Sequence, residues 1–138
     1  PVLEKIIESF GGRRTKELAA FHHRLGRAYQ SMGEIAKALE EYESAFRIDL
    51  TNIAVLRDLG KLSYEQGDLE RAQKTFRALL LQRLDDQSGI TKGDIYFYLG
   101  DIAAKQGDAR RAISMLERAL SEEKDHSQAA DLLSSLKG

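Results

Sequence analysis

The chain has 138 residues, of which 42% are hydrophobic and 31% charged, with 21 basic and 22 acidic side chains. That size fits one ordinary domain, and a single proline, at position 1, favours a mostly helical protein over a sheet-rich or disordered one. The even charge provides no field to steer the chain onto nucleic acid or an anionic membrane. The lack of cysteine excludes a disulfide framework and thiolate chemistry.

In chain order, the first predicted element is VLEKIIESF, amphipathic through Leu3, Ile6, Ile7 and Phe10, with Gly11-Gly12 predicted to end it. Pro1 stands where a methionine is usual, which reads as a fragment of a longer polypeptide. No signal peptide is visible, and a cytoplasmic location is expected. The longest apolar run, Leu79-Leu80-Leu81, is far short of a membrane span. Helical spacing then gathers Phe21, Leu25, Ala28 and Tyr29 into a helix stopped by Gly33, and Ala38, Leu39, Tyr42 and Ala45 into a second. The pattern recurs with Val55, Leu56, Leu59 and Leu62, stopped by Gly67, then Ala72, Phe76 and Leu79. It recurs again with Ile95, Tyr96, Leu99 and Ala103, stopped by Gly107, then Ala112, Ile113, Leu116 and Ala119.

These pairs are copies of one unit. Leu25-Gly26, Leu59-Gly60 and Leu99-Gly100 align, and the next aligned glycines are Gly33, Gly67 and Gly107. Ala38, Ala72 and Ala112 follow, then Tyr42, Phe76 and Leu116. The period is 34 residues between Gly26 and Gly60 and 40 between Gly60 and Gly100, so six extra residues separate units two and three. Gly33, Gly67 and Gly107 can take the left-handed conformation that ends a helix. The acids behind them, Glu34, Asp68 and Asp108, suit the positive end of the next helix. Gly26, Gly60 and Gly100 are expected to face Ala38, Ala72 and Ala112 where the paired helices cross. In the insertion, Leu80, Leu81 and Leu84 are expected to prolong the preceding helix, and Thr91 with Asp94 resembles a capping box.

At these residues the sequence resembles the tetratricopeptide repeat (TPR) family, whose 34-residue helix–turn–helix carries Leu-Gly, Tyr, Ala and Phe at fixed places. Residues 19–52 match best, through Leu25, Gly26, Tyr29, Gly33, Ala38, Tyr42 and Ala45, and depart at His22 and at Leu50, where proline is usual. Residues 53–86 and 93–126 form the second and third units, with 87–92 as an insertion loop. Residues 127–138, with Leu132, Leu133 and Leu136, read as a capping helix. Residues 1–12 read as an N-terminal cap or the remnant of an upstream repeat. The resemblance implies an all-α solenoid, a right-handed superhelix of antiparallel helix pairs in which the first helix of each pair lines a concave groove.

Family members commonly bind a peptide or helix of a partner protein in that groove. The residues placed there are His23, Arg27 and Gln30, then Arg57, Lys61 and Tyr64, then Phe97, Asp101 and Ala104. The basic half suits an acidic segment or a C-terminal carboxylate. The subtype that clamps chaperone C-termini uses Lys, Asn and Arg where this chain has His23, Arg27, Asp58, Asp94 and Tyr98, so that ligand is not expected.

No constellation points to catalysis. Adjacent His22 and His23 point about 100° apart on a helix and make a poor metal pair. Neither a phosphate-cradling loop nor a nucleophile elbow occurs. The acidic insertion lacks the ligand spacing of a calcium loop. Glu40-Glu41-Glu43 and Glu122-Glu123 read as solvated faces of second helices. Phe97 and Tyr98 are candidates for partly exposed anchors. The expectation is a non-enzymatic protein-binding module within a larger scaffold, without cofactor or metal, binding neither nucleic acid nor membrane. Self-assembly through the repeat ends is the alternative, and a regulatory segment of a larger enzyme the weaker one.

Overall fold

The computed structural model describes the backbone of residues 2–138 and the side chains of residues 14–138. Seven helices follow one another in the described residues: α1 Val2–Ser31, α2 Ile35–Ile48, α3 Ile53–Glu65, α4 Leu69–Leu80, α5 Lys92–Lys105, α6 Ala109–Glu122 and α7 Ser127–Lys137. α1 pairs with α2, α3 with α4 and α5 with α6, while α2 also touches α3, α4 touches α5, and α7 closes onto α6.

The turns inside each pair follow from glycine. Gly33, Gly67 and Gly107 have φ of 78°, 80° and 83°, where a side chain would be strained. The acid after each glycine opens the next helix. Asp68 and Asp108 accept from the backbone N–H of Arg71 and Arg111, whereas Glu34 makes no such side-chain bond. Thr91 and Asp94 form a reciprocal capping box at the start of α5.

The glycines inside the first helices have a different reason. A Cβ on Gly26 would lie 2.5 Å from Tyr42 Cε1, while Ala38 approaches through its carbonyl oxygen at 3.3 Å. Phe76 and Leu116 hold the same place over Gly60 and Gly100. So Gly26 and Gly100 meet the alanine backbone as expected, and all three glycines meet, more tightly, the large side chain four residues beyond the alanine. The Tyr42 ring is pinned because its hydroxyl donates to Gln30 Oε1 at 2.7 Å. Gly26→Ala is therefore expected to destabilise by about 1–3 kcal/mol in urea unfolding, although alanine is intrinsically the better helix former.

Each interior layer joins a second helix to the next unit. Ala38 and Tyr42 pack with Leu59 and Leu62. Ala72, Phe76 and Leu79 pack with Leu56, Ile90, Ile95, Leu99 and Ile102. Ala129 of α7 covers Leu116 and Ala119, with Leu132, Leu133 and Leu136 at the edge.

Two sequence expectations differ from the structure. α1 runs unbroken through Gly11 and Gly12. A glycine weakens a helix interior by about 1 kcal/mol without forbidding it, so the expected helix end there is replaced by one 30-residue helix. The side chains of the apolar positions proposed for residues 1–12 lie outside the described residues. α4 stops at Leu80, with Leu81 84% exposed and Leu84 in the loop, so the insertion does not extend that helix to Leu84.

Candidate partner-binding groove

The first helices α1, α3 and α5 carry the residues singled out for the groove, and most of these are bonded to neighbouring groups. His23 Nε2 lies 2.6 Å from Asp58 Oδ2. Arg57 donates from Nε to Asp58 Oδ1 at 3.0 Å and from Nη1 to the Ser88 carbonyl at 2.9 Å. Gln30 accepts from Tyr42. The Tyr64 hydroxyl donates to Asp101. Lys105 reaches Asp101 at 3.1 Å and lies 4.5 Å from the Tyr64 ring centre. Phe97 is half-buried between Tyr98 and His126, with ring centres 5.6 Å from each.

Arg27 and Lys61 stand apart. They hold the same position in successive units, Arg27 exposed and Lys61 partly so, and neither makes an ion pair among the described residues. Ala104, also placed on the stripe, is partly buried.

Burial and neighbours set the electrostatics. Burial would raise the Asp58 carboxyl, but hydrogen bonds from His23 and Arg57, with their charge, outweigh it and hold the group below its usual range. Tyr42, next to that carboxylate, is pushed up to about 12 by burial first and by the Asp58 charge second. Tyr64 and Tyr98 are raised mainly by burial. Lys105 is raised chiefly by its bond to Asp101.

The groove residues that the sequence did not single out are these bonding partners. Asp58, named above only as a chaperone-clamp position, is the hub that bonds both His23 and Arg57. Asp94 is likewise bonded to His126 Nε2 at 2.8 Å. What the clamp positions lack is free cations, since only Arg27 among them carries one. Lys105 completes the third unit beside Tyr98, one of the two candidate anchors, whose ring stacks 4.7 Å from Phe76. The signal of Lys105 in the sequence was a lysine at helical spacing from Asp101. The acidic runs are more structured than solvated faces. Glu41 pairs with His22 at 2.6 Å and Glu43 with Arg71 at 3.1 Å.

Asp94, Glu123 and His126 bring three potential metal-binding atoms within 4.8 Å. The ring of His126 argues against that use. Its Nδ1 accepts the Ala129 backbone N–H at 3.1 Å as the cap of α7, and the other nitrogen then carries the proton shared with Asp94. A neutral imidazole has one free lone pair, and the helix cap takes it.

The fold is an all-α helical-repeat solenoid of three helix pairs and a closing helix. Two family models described as tetratricopeptide repeat match residues 29–89 and 92–126, and the chain belongs to that family. Nothing among curated proteins matches. Among solved structures, the chain is similar to the N-terminal domain of stress-induced protein-1 (STI-1) from C. elegans, at 18% identity and a TM-score of 0.72, over 90% of this chain and 98% of that one. It is similar to the first TPR of Spaghetti (RPAP3) bound to HSP90 peptide SRMEEVD, at 15% identity and 0.70, over 88% and 92%. It is also similar to YrrB, a TPR protein with an unusual peptide-binding site, at 19% and 0.65, over 83% of this chain and 56% of that one. No helix among the described residues is long and apolar enough to cross a membrane.

Proposed function

We propose that this chain is a non-catalytic module that holds a peptide or helix of a partner protein in its concave groove, as part of a larger scaffold, with residues 19–52, 53–86 and 93–126 as its three units. The observation that carries this reading is the contrast between Arg27 and Lys61 and their surroundings. The groove acids Asp58 and Asp101 are bonded internally, while these two cations in register make no ion pair among the described residues. A ligand that matches them carries carboxylates one repeat apart or ends in a free C-terminus. His23, Gln30, Arg57, Tyr64 and Asp101 shape the wall and hold it rigid, and Phe97 offers an apolar edge. The peptide-bound and peptide-binding neighbours support the mode of use, not the identity of the ligand.

The test is fluorescence anisotropy with labelled acidic peptides bearing free C-terminal carboxylates, and basic peptides of equal length as the control. Arg27→Glu with Lys61→Glu is expected to weaken the acidic peptides about tenfold or more, with the effect shrinking as salt rises. Unchanged affinity for every acidic peptide that binds would sink the proposal.

A further inference from the structure

Along the groove positions the charge changes sign between the second and third units. In repeat register, one row reads His23, Arg57, Phe97 and Asp131, and the next reads Arg27, Lys61 and Asp101. Both rows are basic on α1 and α3 and aromatic or acidic on α5 and α7. Asp101 is held by Lys105. Glu65, at the end of α3, and Asp131, on α7, are exposed and make no ion pair among the described residues.

Tyr98 marks the acidic side. Its ring stacks on Phe76 and lies 5.0 Å from Tyr64 and 5.6 Å from Phe97. Tyr42 and Tyr64 donate to Gln30 and Asp101, whereas the Tyr98 hydroxyl has no hydrogen-bond partner among the described residues. The neighbours of the three hydroxyls differ in the same way. Arg27 and Arg57 partly offset the rise at Tyr42, and Lys105 does so at Tyr64. At Tyr98 burial is joined by Asp94, Tyr64 and Glu65, and no cation among the described residues offsets them. Asp94 is already engaged by His126 and by the backbone N–H of Thr91, which leaves Glu65 as the open carboxylate. A half-buried ring, an unused hydroxyl and an exposed carboxylate without a counter-ion suit a donor that carries positive charge. The chain itself shows that chemistry next door. There the Lys105 ammonium sits 4.5 Å from the Tyr64 ring centre and 3.1 Å from Asp101.

We propose that the partner segment is bipolar, with acidic residues over Arg27 and Lys61 and a lysine or arginine of the same segment beside Tyr98, bonded to Glu65. The proposal rests on the peptide-binding reading of the groove and adds the sign and order of the ligand's charges. Such a segment fits in one direction only, because reversing it sets like charges against each other at both ends.

The test is fluorescence anisotropy with labelled peptides that share an acidic block and carry lysine or glutamine beyond a flexible spacer, placed before the block in one set and after it in another. In one of the two sets the lysine peptide is expected to bind about fivefold more tightly than its glutamine counterpart. Glu65→Gln is expected to remove that gain and leave the affinity of the glutamine peptide unchanged. Glu65→Lys is expected to invert the preference, favouring a peptide with glutamate at the lysine position. Circular dichroism checks that these exposed exchanges leave the helices intact. Equal affinities for lysine and glutamine peptides in both sets overturn the proposal while the groove reading survives. So does a gain from lysine that persists in Glu65→Lys. Absence of binding by every acidic peptide overturns both.

Discussion

Phe76→Ala is expected to lower the unfolding free energy by about 3–5 kcal/mol, at the upper end for a single buried truncation. The residue is fully buried in the layer that joins the second and third units. Its ring fills the space over Gly60, where a Cβ would come within 2.9 Å, and its other face stacks on Tyr98 at 4.7 Å and 5°. Truncation therefore removes intra-unit and inter-unit packing together. The glycine opposite it cannot fill the space, because it has no side chain to repack. Urea unfolding followed by circular dichroism checks the magnitude. A loss under about 1 kcal/mol would mean that the layer collapses around the gap. In that case the close fit of Gly60 to Phe76 is not what holds the units together. Where the full loss is seen instead, Gly60→Ala combined with Phe76→Ala is expected to recover part of it, since the added methyl enters vacated space.

Asp58→Asn is expected to cost about 2 kcal/mol, through weakened bonds to charged partners. The amide keeps the shape but loses the charge that His23 and Arg57 face at 2.6 and 3.0 Å. The pH dependence gives a sharper reading. The Asp58 carboxyl is held below its ordinary 3.8 in the folded state, so the unfolded chain takes up its proton first as acid is added. Its contribution is complete above that value and is lost as the pH falls through the folded one. The wild type should therefore lose stability more steeply than Asp58→Asn in that acid window, and the two curves should converge at its lower end. Parallel curves would show that the carboxylate contributes nothing specific. At the alkaline end Tyr42 acts in the opposite sense. Its folded value, raised from 10.0 to about 12, keeps its contribution intact below 10 and removes it as the pH climbs toward 12.

The repeat was legible because it rests on steric needs that recur with the period. A glycine under a large ring and a left-handed glycine after each first helix leave marks at fixed intervals in one dimension. The polar wiring of the groove leaves no such mark. His23 and Asp58 are 35 residues apart and Arg57 and Ser88 are 31 apart, and neither pair belongs to a local motif. Arg57 reads as a groove cation from its place on the stripe, yet the carboxylate of the next residue, Asp58, takes its Nε–H. The insertion adds a second bond by bringing the Ser88 carbonyl back over α3. Gly89 permits the approach with φ of 72°, and a Cβ there would lie 2.7 Å from Arg57 Nη1. The Gly11-Gly12 break failed for a different reason. Two glycines lower helix stability by an amount that neighbouring residues can offset, whereas a helix end needs a backbone reversal that neither supplies.

The sequential packing of the seven helices has a mechanical consequence. Among the described residues the substantial contacts join α1 to α2, α2 to α3 and onward, with α7 also touching α5, and none of them ties the first unit to the last. A pull applied between the two ends therefore meets one junction at a time instead of a shared core. In such a series the compliances of the joints add, so the softest joint dominates the response. As a link between larger bodies it would behave as a spring, and a ligand bridging Arg27 and Lys61 would clamp the joint between the first two units and shorten the compliant length.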